Sequence, residues 1–496
     1  MGSLKRYINL KWAYLWLALG SIFVPLPFIY LSFKGVIPER AYQHLQLLLL
    51  FFGLAFIAFR YFKKKPLTYR QWAFIIITFG FILRLCYVLY TKGTSRQHDF
   101  MGEHGHLHYM VDIADTGALP LTNDYQYYHP PLVHLLGAPL VWLCLTLNLN
   151  KNLIIELLQV LPLLFSSLTM LAFYRIIKRL HLSERVRIAV LALAILHPFN
   201  LILCGMINND CLMWLFFIHA ILYLMIWYEK ATMKNTAILA LCVGLGMMSK
   251  LSAGFIAPAC IFIFACKLIP AIKAKNGLEI KAIVKKGLCF SGISIPIGLW
   301  YPIRNYILFN QSFNYVPHFN TGIRYHGDVP ILQRFALDFR NLFPYVFQSF
   351  EDTNDWVTFL KTSLFDEQMY QEINTSAIIL TVLNLILITA SLFSIAYVLL
   401  KDRKASKRLF YIVLAGIWAL LFVSHVIFMV QYPNLSTPSY RYSYPTAFIG
   451  AVFIGRAAQL LSGKKAKNLP TQAFCVLTVL FVVFTVFAYS SKSFLI

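Results

Sequence analysis

HPPLVHLLGAPLVWLCL, residues 129–145, decides how this chain is threaded. The run is apolar enough to resemble a membrane span. Its prolines and histidines suit a surface position better, because polar groups in hydrocarbon need partners or water. If it crossed the bilayer, the basic loop at 175–187 would be stranded on the outer side. If it lies along the surface, every later basic loop falls inside, as the positive-inside rule requires. The stretch is therefore read as an interfacial helix. Thirteen spans follow, near 12–32, 42–60, 71–90, 154–174, 187–204, 210–229, 235–249, 251–269, 284–302, 376–400, 409–430, 442–460 and 471–490. The N-terminus lies inside, the C-terminus outside, and two long outer loops result, 91–153 and 303–375. The expected fold is an all-α polytopic membrane protein.

Composition supports that class. The 496 residues are 59% hydrophobic and 13% charged, where a soluble chain carries about 25% charged residues. Apolar runs of the length that crosses a bilayer core, roughly 20 residues, recur throughout. The first, Trp12 to Leu31, lacks a small-residue cleavage site and reads as a retained span. A net charge of +24 could suggest nucleic acid. The basic residues instead cluster in short loops between spans, at Lys63–Lys65, Arg175–Arg187, Lys267–Lys286, Lys401–Arg408 and Lys464–Lys467. That distribution sets topology and meets anionic headgroups; nucleic acid is not an expected partner. The nine cysteines lie mostly in apolar runs without metal or redox spacing, as small buried thiols do. Four regions are expected: a two-span N-terminal addition, 1–62; a core, 63–302; an outer loop or cap, 303–375; and C-terminal spans, 376–496.

The polar loop that leads into the opening stretch, QHDFMGEHGHLHYMVDIADTGALPLTNDYQYYHPPL (97–132), gathers histidines and acids in a chain otherwise built of apolar runs. Asp99 follows closely on the third span. A carboxylate there can accept a proton, hold a metal or hold an amine; as a plain loop charge it would cap a helix or meet solvent. Glu103, His104, His106, His108, Asp112, Asp124 and His129 follow. His104, His106 and His108 alternate by two, but neither strand nor helix geometry completes a defined zinc motif. No cofactor is expected, with a divalent metal the lesser alternative. Tyr125-Gln126-Tyr127-Tyr128-His129-Pro130-Pro131 reads as an interfacial aromatic belt, or as a sugar or lipid platform. Asn208-Asn209-Asp210 is an ordinary N-cap pattern, yet Asp210 emerges on the same side as Asp99. Lys250, Arg304 and Arg441 stand at outer span ends, and Arg84 lies inside the third span. The positive-inside rule disfavours outer cations. They either snorkel to headgroups or bind a buried phosphate by charge-assisted hydrogen bonds.

These motifs, in order, resemble a known family. The series is an Asp in the first large outer loop, Gly-His-Leu, Gly117-Ala118-Leu119-Pro120, Tyr-His-Pro-Pro-Leu, Asn-Asn-Asp, Ser-Lys-Leu-Ser-Ala and Arg304-Asn-Tyr-Ile-Leu-Phe309. It resembles GT-C-type membrane glycosyltransferases over residues 71–460. The nearest likeness is to bacterial family-39-like proteins, relatives of protein O-mannosyltransferases and lipid A aminoarabinose transferases. The resemblance implies a GT-C-like bundle and a polyprenyl-phosphate-linked sugar donor used on the outer side of the membrane, with inversion at the anomeric carbon. It implies Asp99 as catalytic base, Asp210 as second acid, and Lys250, Arg304 and Arg441 toward the lipid phosphate; Arg84 is expected to join them as a cation inside a span. Sugar contacts are expected from His98, Glu103, His106, Tyr128, His129, Asn209 and Tyr301. The His-Asp-Phe motif lacks the Asp-Glu pair of the protein O-mannosyltransferases, so the acceptor stays open among glycan, lipid and protein. A bacterial plasma membrane is the expected location. The rival class is a secondary transporter or lipid-carrier-binding protein; transporters place ionisable groups near mid-bilayer between inverted repeats, whereas these carboxylates gather at span ends.

Overall fold

A computed structural model describes residues 10–63, 67–94, 97, 99–317, 324–367, 372–403, 407–462 and 468–491. It is the all-α bundle expected. Among the described residues there is no strand, only an isolated antiparallel bridge between Tyr325 and Asn434. Ten helices of the described residues are long and apolar enough to cross a membrane. They correspond to ten of the thirteen expected spans. Two more, Met233–Ser249 and Pro445–Leu461, are shorter apolar helices.

The remaining one, 187–204, is broken. Helix Glu184–Leu196 stops before His197-Pro198 and a short helix, Pro198–Leu203, restarts the chain. Proline has no N–H to give and clashes with the preceding turn. The break strands carbonyls at the end of the first helix. Asn200 Nδ2 takes Ala194 O at 2.8 Å, and Arg84 Nη2 takes Ile195 O at 2.9 Å.

The core is built from helices that run between one end rich in basic residues and one that carries the 91–153 segment. Helix Asn209–Glu229 packs against Val160–Arg179 and Met233–Ser249, and the last of these lies along Gly277–Phe309. At the basic end Arg179 and Lys407 both reach Glu229, and Arg456 reaches Asp402 at 2.7 Å. Gly277–Phe309 has 33 residues, so it is about 50 Å long. That exceeds a hydrocarbon core of ~30 Å and carries Tyr301 and Arg304 out to the opposite end. The stretch at 129–145 forms helix Leu132–Thr146 with Pro139 inside it. The N-terminal helices Leu10–Phe23, Pro25–Phe33 and Glu39–Phe62 lean on the core. Polar contacts fix them there: Gln46 Nε2 to Leu83 O at 3.2 Å, and Gln43 Nε2 to Ser491 O at 2.9 Å.

The described residues 324–367 fold over the end of the bundle with two short helices, Ile331–Arg334 and Asp355–Phe365. Two buried ion pairs hold it: Lys361 to Asp352 at 2.7 Å and Arg334 to Asp355 at 2.7 Å. Removing one partner of such a pair strands a buried charge, at a cost of about 3–5 kcal/mol, whereas replacing both by apolar groups is often neutral. Lys361→Met should therefore lower the thermal unfolding midpoint of the detergent-solubilised protein well below that of the Lys361→Met/Asp352→Leu double variant; equal midpoints would remove the stated role of the pair.

Candidate active site

The site grows from the end of helix Tyr69–Tyr90. Beyond it, Gln97 clamps the chain to the segment before Asn208: its Nε2 donates to Gly205 O at 2.7 Å, and its Oε1 accepts from Ile207 N at 2.8 Å. The loop then turns through Asp99, whose φ of +51° is left-handed, and enters helix His106–Thr116. That helix has no side-chain N-cap. Its first donors go instead to the loop: His106 N to Asp99 O at 2.9 Å and Leu107 N to Phe100 O at 3.1 Å. The carbonyls of Asp99 and Phe100 thus serve as the cap that every helix N-terminus needs. Gly105 allows the approach. A Cβ there would stand 2.6 Å from Phe100 O and 3.0 Å from Asp99 O.

The Asp99 carboxylate accepts a hydrogen bond from Tyr125 OH at 2.6 Å. Its charge also acts on Lys250, Arg441, His106, Tyr128 and Tyr442. Asp210 belongs to the same group. It lies in the first turn of Asn209–Glu229, capped by Asn208 Oδ1 at 3.0 Å, where the helix dipole favours an anion. Lys250 Nζ meets Asp210 Oδ1 at 2.6 Å, and the lysine side chain is 14% exposed against 2% for the acid. Lys250 reaches it because Met233–Ser249 ends there. The Lys250 backbone is extended, and a 3₁₀ turn, Leu251–Ile256, follows. Lys250 also sits over the Tyr442 ring, 4.9 Å from its centre.

Arg441 completes the cluster. Its Nη2 lies 3.3 Å from Glu367 Oε1 and donates to Tyr442 OH at 3.0 Å, and its carbonyl accepts from Trp214 Nε1 at 3.1 Å. Burial works against the cation, but the Glu367 carboxylate, with help from Asp210 and Asp99, outweighs it and holds the Arg441 pKa well above its ordinary value. Two buried donors beside these charges, Arg441 Nε and Asn209 Nδ2, have no hydrogen-bond partner among the described residues. Such orphans are uncommon in folded proteins. An anion or a sugar hydroxyl would satisfy both.

Histidines line the same wall. His106 Nδ1 is 2.9 Å from His134 Nε2, and the His129 ring stacks 6.1 Å from that of His106. Burial above all pushes the His106 pKa down to about 4, and pushes that of His129 well below its usual value. Both rings are neutral at pH 7.

Other sequence candidates lie apart. Arg84 is fully buried, with Nε on Ser166 Oγ at 2.8 Å and Nη1 on Gly80 O at 2.9 Å, besides its bond to Ile195 O. It braces the broken helix and is not among the groups around Lys250. Arg304 donates to Pro120 O at 2.7 Å and to Asn305 Oδ1 at 2.9 Å, and so pins the 117–120 turn. Tyr301 OH bonds Tyr127 O at 2.6 Å and Tyr109 OH at 2.8 Å, a strut beneath the aromatic belt. Glu103 is exposed, and its charge acts on Tyr127. His98 lies outside the described residues. Glu367 was missed by the sequence reading. Among the described residues no three of His, Cys, Asp and Glu gather as metal donors. An apolar cavity of about 390 Å³ lies nearby, between helices Thr375–Lys401, Arg408–Gln431 and Pro445–Leu461, and Tyr440 forms part of its wall.

Residues 129–279 match the family model of the dolichyl-phosphate-mannose-protein mannosyltransferases. The family resemblance read from the motifs is found. The matched part is less than a third of the chain and includes His129, His134, Asn209, Asp210 and Lys250, but not Asp99 or Arg441. It supports a membrane glycosyltransferase. No curated protein matches the chain. Among solved structures, the Archaeoglobus fulgidus oligosaccharyltransferase in complex with Zn and sulfate is similar at 15% identity over 84% of this chain and 52% of that one, with a TM-score of 0.45. The same enzyme tethered to an acceptor peptide containing the NVT sequon gives 14%, 85%, 55% and 0.47. The chain thus spans about half the length of those structures.

Gly105→Val should displace the Asp99–Phe100 carbonyls and lower activity with little change in fold, measured as turnover alongside the thermal midpoint. Acid sensitivity follows from His106. Its folded pKa of about 4 lies below the ~6.5 of an unfolded chain, so the unfolded state binds the proton first. The stability it contributes is present above about pH 6.5 and is lost as pH falls through about 4. His106→Gln should make stability less dependent on pH in that window, read from unfolding midpoints at a series of pH values.

Proposed function

We propose that this chain is a GT-C-type glycosyltransferase that moves a sugar from a polyprenyl-phosphate carrier to an acceptor hydroxyl on the extracytoplasmic side of a membrane, in cell-envelope glycan or glycoconjugate modification. One observation carries this reading: Asp99 stands beside the Asp210–Lys250 pair and Arg441, and two buried donors there, Arg441 Nε and Asn209 Nδ2, have no partner among the described residues. Buried donors of that kind suit a phosphate and a sugar. The apolar cavity whose wall includes Tyr440, next to Arg441, offers room for part of the carrier's hydrocarbon tail.

In this reading Asp99 takes the proton of the acceptor hydroxyl. The acceptor oxygen bonds to the anomeric carbon as the bond from that carbon to the phosphate oxygen breaks, with its electron pair leaving on the phosphate. A single displacement inverts the anomeric centre. Tyr125 OH, bonded to Asp99, favours the ionised carboxylate that a base requires. Lys250 and Arg441 meet the charge that grows on the leaving phosphate. Asp210 holds Lys250 in place. The reaction needs no cofactor, and basic loops at the opposite helix ends favour the cytoplasm for that end.

Asp99→Asn should lower transfer by at least about 100-fold while binding of the polyprenyl-phospho-sugar changes little. The measurement is release of polyprenyl phosphate by the purified protein in vesicles. Wild-type turnover in this variant, or no release by the wild type with any polyprenyl-phospho-sugar, would overturn the reading.

A further inference from the structure

The His106–His134 contact has one unoccupied atom that decides its chemistry. The two ring nitrogens are 2.9 Å apart, so a single proton lies between them. His134 is wholly buried, and its other nitrogen, Nδ1, has no hydrogen-bond partner among the described residues. The ring stacks on Tyr109, with centroids 4.0 Å apart, and its Nε2 is engaged by His106.

Two arrangements are open. If His106 Nδ1 donated, His134 would carry its own proton on Nδ1, as a buried N–H with nothing to receive it. If His134 Nε2 donates, Nδ1 is left as a bare lone pair. Orphaned buried N–H groups are rarer than under-used acceptors, so the second arrangement is favoured. A neutral imidazole whose Nδ1 accepts must hold its proton on Nε2. That nitrogen of His106 has no partner among the described residues, unlike its Nδ1. The ring lies within the fields of Asp99, Asp210, Lys250 and Arg441. Its backbone N–H is bonded to Asp99 O, which ties it to the proposed base.

We propose that His134 is a positioning residue that fixes His106 in its Nε2–H tautomer, so that His106 offers a neutral hydrogen-bond donor to an anionic phosphate held by Lys250 and Arg441. The last clause rests on the glycosyltransferase reading; the tautomer does not. Low basicity fits the role, since burial keeps His106 neutral and it donates without adding charge.

The test has two arms. In full-length protein labelled with ¹⁵N-histidine and reconstituted in vesicles, solid-state NMR reports which nitrogen of each ring is protonated, with the His106 signals assigned by their loss in His106→Gln. A protonated Nε2 and bare Nδ1 at His106, with Nε2 shifting on addition of polyprenyl phosphate, is the expected result. The reverse tautomer, or no shift, overturns the inference and leaves Asp99 as base untouched. In the second arm, His134→Phe should lower kcat about 10- to 100-fold, the range seen when a metal-ligating histidine loses the group that orients it, and His134→Gln, which keeps an N–H donor, should recover part of it. Wild-type kcat in His134→Phe overturns the positioning role. Failure of the glycosyltransferase reading shows differently, as no transfer by the wild type despite the expected tautomer.

Discussion

An ammonium and a carboxylate 2.6 Å apart, the acid buried and the lysine mostly so, set the terms for this end of the bundle. Neither Asp210 nor Lys250 could stay ionised there alone, because removing a lone charge from water costs several kcal/mol even after relaxation. The pair therefore joins two helices whose ends must meet. Asp210 sits in the first turn of its helix, where free N–H groups already favour an anion. Lys250 sits where its helix stops, so that its stem extends across the gap instead of along a helix face. Arg441 and Glu367 repeat the arrangement from two other parts of the chain. The 303–375 segment is thus drawn over the site by charge, and its own buried pairs, Lys361–Asp352 and Arg334–Asp355, hold it there.

The loop that carries Asp99 follows a different logic. It has no regular structure of its own, yet its carbonyls cap the helix that comes next, and Gln97 bonds it to the residues before Asn208. Backbone groups near a membrane surface cannot go unbonded. Satisfying them here brings the Asp99 turn next to the start of the Asp210 helix, although more than a hundred residues separate the two in sequence.

Much of this was legible beforehand. Apolar runs and basic loops placed the ten helices that could cross a membrane and two shorter apolar ones, because span length and the positive-inside bias are strong one-dimensional signals. Asp99, Asp210, Lys250 and Arg441 stood out as charged residues at span ends, and the structure gathers them. What stayed hidden was three-dimensional. Pro198 signalled a break within 187–204, but the apolar composition on both sides masked it. Arg84 looked like a phosphate ligand because a cation inside a span needs a partner; the partner is the carbonyl of Ile195, stranded by that same break. Arg304 and Tyr301 were read as ligand contacts, yet their bonds go to Pro120, Asn305, Tyr127 and Tyr109. Glu367 carries no motif, and its contact with Arg441 spans the whole of a helical hairpin. The His106–His134 bond joins a polar loop to an apolar helix, and no spacing rule connects them.

The charge balance of the cluster gives these details a common sense. Asp99, Asp210 and Glu367 face Lys250 and Arg441, and the neighbouring histidines are neutral, so the empty site is not a strong trap for anions. A carrier phosphodiester bears one negative charge, and the phosphate that leaves bears nearly two. A site saturated with cations would bind substrate and departing group alike and gain little rate from either. With each cation already shared with a carboxylate, what remains is a set of unfilled N–H donors: Arg441 Nε, Asn209 Nδ2 and the unpartnered nitrogen of His106. Hydrogen bonds from fixed donors strengthen as charge accumulates on the oxygen they face, and they need no rearrangement at that moment. Under the proposed reaction, fixed N–H donors on and beside compensated cations favour the departing phosphate over the bound one, which is the difference a transferase must create.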